Sequence, residues 1–307
     1  MKGTGGAPIW TAAEAGGPKL LAAFFLIYFV WGANYLAIRY SLETVPPFLL
    51  MGARSFLAGV CLYAWARLRA AERPEPHHWR AAAPVGILLF LGCHGLLAWA
   101  QRRVPSGVAA LGLATIPLWM TLLDWRWARA RRPGAPVWLG LGLGTLGLAV
   151  LVGPGGWSRA VDAIGLGALL ASALAWATGS ILARQSRLPS SVVLSTGMQL
   201  VAGGAGLAVV AVATGEAASF DPLGVSARSM LAFAYMVGAA SILAFTAYVW
   251  LLRVSTPSLV ASYAFVNPLV AVALGWAVGG EALTPRTVLA SLLIVAGVAA
   301  IVTGRKK

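Results

Sequence analysis

The sequence predicts an all-α integral membrane protein of ten transmembrane helices, laid out as two inverted five-helix repeats around a central cavity. Three observations carry that prediction. The 307 residues are 59% hydrophobic and 10% charged, with a mean hydropathy of +0.81, a balance that a soluble domain of this size does not keep in water. Ten apolar runs of membrane length, without the period-2 alternation of barrel strands, follow one another between short polar or Pro/Gly breaks. Finally, a skeleton recurs at an offset of 145 residues: Trp31 to Arg39 returns as Trp176 to Arg184, and Gly52 to Gly59 as Gly197 to Gly204. About five spans separate the copies, an odd number, so the second copy enters the bilayer upside down.

Residues 1–18, rich in Gly, Ala and Pro, lack an apolar period and read as a flexible cytoplasmic tail. The first repeat is expected over residues 19–153. Helix 1, near 20–40, is too long for a signal-peptide core and no small-residue cleavage site follows it, so it is expected to remain in the chain. It carries Trp31, Asn34 and Tyr35 as candidate substrate contacts. Helix 2, near 48–67, carries Arg54 about seven residues in, roughly 10 Å deep at ~1.5 Å per residue. A charge at that depth needs a partner, and backbone carbonyls, lipid headgroups or an anionic solute are the alternatives. Helix 3, near 82–101, holds His94, either a packing histidine or a titrating one, and Trp99. Helix 4, near 104–124, contains Pro117, which removes a backbone bond and frees the Leu113 carbonyl. Helix 5, near 135–153, has Gly140 and Gly144 for close helix approach.

The second repeat is expected over residues 161–304. Helix 6, near 162–184, carries Trp176. Helix 7, near 190–213, carries Gln199 at the position matching Arg54, with Gly203 and Gly204 beyond it. Tyr248 is a further candidate in helix 8, near 229–252. In helix 9, near 256–278, Tyr263 and Asn267 share a face one turn apart, offering a hydroxyl and an amide to a polar solute or to a neighbouring helix. Pro268 follows, matching Pro117 and freeing the Ala264 carbonyl, so the paired prolines suggest kinks beside a central pathway. Helix 10, near 284–303, repeats Gly147 and Ala149 as Gly297 and Ala299. Asn267 is matched by Ile116, so the two walls of the cavity are chemically unequal.

The net charge of +14 is explained by topology without nucleic acid. With the N-terminus inside, sixteen Lys and Arg residues fall on the cytoplasmic side, six on the other, and Arg54 within the membrane. The positive-inside rule then places both termini in the cytoplasm. Cys61 and Cys93 lie inside predicted helices and read as packing residues. No metal-ligand cluster, paired interior carboxylates or phosphate-cradling loop is present, so neither an enzyme nor a cofactor is expected. Asp124 and Glu281 sit at helix ends and form no mid-membrane proton relay. The expected partners are a small-molecule substrate and the lipid bilayer, with the chain a monomer or homodimer.

Several motifs carry a resemblance: Trp31-Gly32-Ala33-Asn34-Tyr35, Pro46-Pro47, Arg54-Ser55-Phe56, Val104-Pro105-Ser106-Gly107, Ser262-Tyr263-Ala264-Phe265-Val266-Asn267-Pro268 and Gly279-Gly280-Glu281. The chain resembles EamA-type transporters of the drug/metabolite transporter superfamily, and within them the bacterial YedA group, from about residue 20 to 304. The resemblance implies ten helices, two inverted repeats, a central cavity, and a multi-pass inner-membrane carrier that exports amino acids, metabolites or drugs. One departure stands out. Where the family often closes helix 4 of the first repeat with a Gly-Glu pair, this chain reads Arg129-Ala130-Arg131-Arg132. The residues themselves leave a channel or a lipid flippase as alternatives.

Overall fold

The computed structural model describes residues 17–69, 72–127, 134–152, 162–255, 260, 263–280 and 282–304. Among these the chain forms helices and turns and no strand. The long helices are α1 (Gly17–Ser41), α2 (Pro47–Leu68), α3 (Pro76–Gln101), α4 (Ser106–Arg126), α5 (Ala135–Val152), α6 (Ala163–Gln185), α7 (Val192–Ala213), α8 (Ala227–Val254), α9 (Tyr263–Ala277) and α10 (Pro285–Gly304), with short turns of helix at Glu216–Ser219 and Pro222–Gly224 between α7 and α8. Seven of them, α1 to α4 and α6 to α8, are long and apolar enough to cross a membrane. The apolar stretches of the others, Ala135–Gly147, Val266–Ala277 and Pro285–Gly297, are shorter. Residues 17 and 18, expected in the tail, already belong to α1. The run Arg129 to Arg132, Pro257-Ser258 and Glu281 lie outside the described residues.

Helix ends follow local chemistry. Pro47 opens α2, since a proline in the first turn lacks only an N–H that would be unpaired there. α3 starts at Pro76, ahead of the expected residue 82, because Glu75 and His78 cap it reciprocally, the Glu75 amide donating to His78 Nδ1 at 3.1 Å. Asp162, Ser191 and Ser226 cap α6, α7 and α8, accepting from backbone N–H groups at 2.8, 3.3 and 3.1 Å.

Three helices depart from α geometry at mid-length. π-helical segments occupy Leu26–Val30 in α1, Ile87–Gly95 in α3 and Met236–Ala244 in α8. Their wider turns leave carbonyls for donors on other helices. The Trp31 Nε1–H donates to the Ala240 carbonyl at 3.0 Å and the Tyr235 hydroxyl to the Val30 carbonyl at 2.8 Å, joining α1 to α8. α4 is interrupted at Ala114–Thr115, just ahead of Pro117, and Thr115 Oγ1 donates to the Gly112 carbonyl at 2.7 Å. α9 runs through Pro268 as one helix.

In lipid no hydrophobic exclusion drives helices together, so packing depends on how closely their backbones approach. The two most extensive contacts are α2 with α7 and α5 with α10. A Cβ placed on Gly59 would lie 2.6 Å from the Val201 nitrogen, one on Gly204 2.5 Å from that of Phe56, and one on Gly197 2.7 Å from that of Tyr63. The glycines that recur in sequence thus line a single crossing. Gly52 faces Ala208 while Gly197 faces Tyr63, so α2 and α7 run antiparallel; Gly147 faces Ile294 and Gly297 faces Gly140 and Gly144, so α5 and α10 do as well. Other contacts come in matching pairs: α1 packs on α8 and α9, and α6 packs on α3 and α4. Phe25, Phe56, Trp65, Val209, Leu231 and Leu292 remain exposed, the apolar exterior that lipid covers.

Two carboxylates bind the ends of the α2–α7 pair reciprocally. Glu216, beyond the end of α7, accepts from the Phe48 and Leu49 amides at the start of α2, at 2.8 and 3.0 Å. Glu72, beyond the end of α2, accepts from Ser190 Oγ at 2.8 Å and the Ser191 amide at 3.1 Å, at the start of α7. Both carboxylates meet a helix N-terminus, whose free N–H groups favour negative charge. Partial burial pushes the Glu72 carboxyl upward, but the Ser190 and Ser191 hydrogen bonds outweigh it and hold the group below its usual value. At the Glu216 end, ion pairs of 2.5 Å between Arg228 and Glu43 and 2.6 Å between Arg103 and Asp162 add further closure.

Candidate functional site

Where α1, α2, α3, α4, α6 and α9 converge, they line a cavity of about 40 Å³. α1 contributes Trp31, Asn34 and Tyr35; α2, Arg54; α3, Cys93, His94 and Leu97. The interrupted α4 turns Leu113 and Ile116 inward, and Trp176, Tyr263 and Asn267 complete the wall. That volume holds a few waters, well below the roughly 300 Å³ at which pockets take organic ligands. The site is closed down around its own polar groups.

Those groups are only partly satisfied. Asn34 Oδ1, His94 Nδ1 and Tyr263 OH are buried without a hydrogen-bond partner among the described residues. The Trp176 indole N–H approaches the Tyr248 and Tyr263 hydroxyls yet makes no hydrogen bond of proper geometry to either. An unmade bond on a buried polar atom costs about 1–3 kcal/mol, so a cluster of them around one cavity marks a place built for something else to bind. Asn267 differs. With its amide oriented to satisfy both ends, its nitrogen donates to the Ile27 and Tyr28 carbonyls at 3.0 and 2.8 Å, pinning α9 to the π segment of α1.

Arg54 is 1% exposed. Its Nε donates to Ser241 Oγ at 2.7 Å, and Nη1 faces the Met51 and Met236 sulfurs at 3.7 and 3.9 Å. Ser241 belongs to the π segment of α8 and carries no signal in the sequence, where it is one serine within an apolar span.

A second cavity, of about 340 Å³, opens at the Glu72 end, lined by Arg184, Arg253, Ser180, Ser195, Gln199, Phe245 and Tyr248. Arg253 Nη2 donates to the Pro189 carbonyl at 3.0 Å and Nη1 to that of Ser190, holding the α6–α7 linker in place. Gln199, whose Nε2 donates to Ser195 Oγ at 3.0 Å, therefore faces this vestibule, whereas its repeat counterpart Arg54 faces the central cavity.

An aromatic cluster separates the two spaces. Tyr248 lies with its ring centroid 5.1 Å from Trp31, 5.4 Å from Trp176 and 6.0 Å from Tyr263. His94 stacks on Trp176 at 5.5 Å. Ser180 Oγ donates to the Trp176 carbonyl at 2.8 Å, which leaves the Tyr248 hydroxyl as donor in its 3.0 Å bond to Ser180. The structure thus gathers Trp31, Asn34, Tyr35, Arg54, His94, Trp176, Tyr248, Tyr263 and Asn267, with Pro117 and Pro268 adjoining Ile116 and Asn267. It does not bring Trp99 to them. That indole lies under the Arg103 guanidinium, 4.5 Å from its ring centre, at the opposite end of the bundle. Among the described residues no group of three or more His, Cys, Asp or Glu could hold a metal ion.

The model of the EamA-like transporter family matches the chain twice, over residues 19–153 and 163–303. The chain belongs to the EamA-like transporter family. Family relatives include an uncharacterized inner membrane transporter, YedA, of Escherichia coli K12, 33% identical over 287 residues and covering 93% of this chain and 91% of that protein. The uncharacterized transporter YvbV of Bacillus subtilis is 26% identical over 294 residues, covering 94% of each. A solved crystal structure superposes on this EamA-like chain with a TM-score of 0.68 at 21% identity, covering 94% of this chain and 99% of the other, a likeness of fold alone.

Proposed function

We propose that this multi-pass membrane protein is a secondary transporter of the inner membrane, exporting small metabolites, amino acids or drugs by alternating access. The observation that carries the reading is a wide vestibule at one end of the bundle and a much smaller polar cavity across an aromatic cluster from it. The vestibule at the Glu72 end reaches Tyr248, the aromatic cluster blocks it, a contracted polar cavity lies beyond, and the Glu43–Arg228 and Arg103–Asp162 pairs close the far end. The antiparallel course of α2 against α7 and α5 against α10 supports ten transmembrane helices in two inverted repeats that rock about the cavity. With both termini cytoplasmic, as the charge distribution predicts, the vestibule faces the cytoplasm, the side from which an exporter loads.

The test is flux of a metabolite and dye panel in proteoliposomes, with and without a pH gradient. Saturable movement of a solute is expected, reduced on the order of tenfold or more by Arg54→Ala and by Asn267→Ala. Unchanged transport in both variants overturns the site. A groove of about 640 Å³ between α1, α7 and α8, apolar but for Lys19 and Thr246, favours a second reading in which a lipid is moved. Scrambling of labelled phospholipid in the same liposomes distinguishes it.

A further inference from the structure

Among the described residues the charge on Arg54 has no countercharge. A guanidinium stays ionised when buried, and its partners here, the Ser241 hydroxyl and the sulfurs of Met51 and Met236, are neutral. Of the acidic residues among the described ones, Glu43, Glu72, Glu75, Asp162, Glu216 and Asp221 lie outside the ten long helices and Asp124 in the last turn of α4. Among the described residues none forms an ion pair with Arg54. An isolated buried cation is unfavourable unless something neutralises it. The same cavity presents Tyr263 OH and Asn34 Oδ1 without partners. Among the described residues it offers no carboxylate to receive an ammonium group.

The approach to the cavity has the same sign. Arg184 and Arg253 line the vestibule with serine hydroxyls and Gln199, and among the described residues no acidic one is in its wall. Glu72, whose charge Arg253 feels, is engaged by Ser190 and Ser191. An anion entering from that end meets two cations and then a third; a cation meets repulsion at every stage. The indoles and phenols between the two spaces would attract an organic cation through their ring faces, but Arg54 in the same wall opposes that attraction. Those rings suit an apolar body.

We infer that the solute bound in the central cavity is a small organic monoanion, its acid group paired with Arg54 and its apolar body against the Trp31–Trp176–Tyr248 cluster. The inference rests on the transporter reading and narrows it to one substrate class. The experiment uses purified full-length protein and three probes with one body and different heads: 3-phenylpropionate, 3-phenylpropionamide and 3-phenylpropylamine. Binding is read at neutral pH from quenching of tryptophan fluorescence. The anion is expected to bind saturably and on the order of tenfold tighter than the amide or amine. Arg54→Gln should remove that preference while leaving amide binding in place, and Arg54→Lys should retain part of it. The wild-type ranking needs no variant, so it stands even if a substitution unfolds the protein. Equal or tighter binding of the amine or amide, absence of binding by all three, or an unchanged preference in folded Arg54→Gln overturns the inference. Flux of neutral or cationic solutes without anion flux in the proteoliposome panel would do so too, while leaving the transporter reading intact; no flux of any solute counts against the transporter itself.

Discussion

Glu72 and Arg54 meet opposite fates, one just past the end of α2 and the other buried within it. Glu72, just past α2, is mostly exposed, yet its carboxylate caps α7, and the hydrogen bonds from Ser190 and Ser191 hold it below its ordinary value. A carboxyl whose folded value lies below its unfolded one stabilises the fold when ionised. That contribution is complete above the unfolded glutamate range, about 4.3, and is lost as pH falls through the lowered value. Glu72→Gln should therefore lower thermal stability in detergent at neutral pH by about 0.3–1 kcal/mol, the small figure of a solvent-screened helix-end charge. The gap between variant and parent should close in acid. A gap independent of pH would show that the charge contributes nothing. Arg54, Asn267 and Tyr263 were legible in the sequence because a charge, an amide and a hydroxyl stand out inside apolar spans. Ser241 was not, because a lone serine looks alike whether it bonds its own helix or receives a guanidinium. Trp99 was misleading for the converse reason: an indole in an apolar run gives no indication of its depth.

At the scale of helices, the repeated glycines were the most informative signal, and the structure gives them a common purpose at the α2–α7 and α5–α10 crossings. Gly204→Ala places a methyl 2.5 Å from the Phe56 nitrogen, and backbone does not yield as a side chain does. The crossing must open, at a cost of about 1–3 kcal/mol. Gly167→Ala on α6, with nothing within 4 Å of its new Cβ, should instead gain about 0.5–1 kcal/mol from the better helix former. Thermal unfolding of the two variants side by side checks this; equal effects would mean the crossing is not tightly packed. The π segments had no such signal. Ile87–Gly95 and Met236–Ala244 have the composition of any membrane span, and an insertion of register leaves no mark on hydropathy. They nevertheless set where His94 and Ser241 point.

For the whole molecule, composition and repeat sufficed to predict a helical membrane protein, because bilayer solvation restricts what such a sequence can form. Which end stands open was not legible, since in the proposed alternating-access reading both states share every residue and differ by a few kcal/mol. The end away from the vestibule joins α1, α2, α3, α6, α7 and α8 through Glu43–Arg228, Arg103–Asp162 and the Glu216 cap on α2. Each exposed contact contributes only about 0–1 kcal/mol, small enough to break in a working cycle yet enough to shift its populations. A thiol at the vestibule reports the outcome without knowledge of the substrate. In a Cys61→Ser background, Gln199→Cys should react with a membrane-impermeant maleimide from the side of the vestibule. Adding Glu43→Gln and Glu216→Gln loosens the far end, favours the opposite state, and should slow that reaction by about fivefold for each ~1 kcal/mol of shift. Cross-linking Glu43→Cys to Arg228→Cys should hold the rate at its maximum until a reductant is added. Equal rates in the locked and loosened proteins would mean that the two ends open independently, and the geometry would then describe a pore with a plug instead of a carrier with two gates.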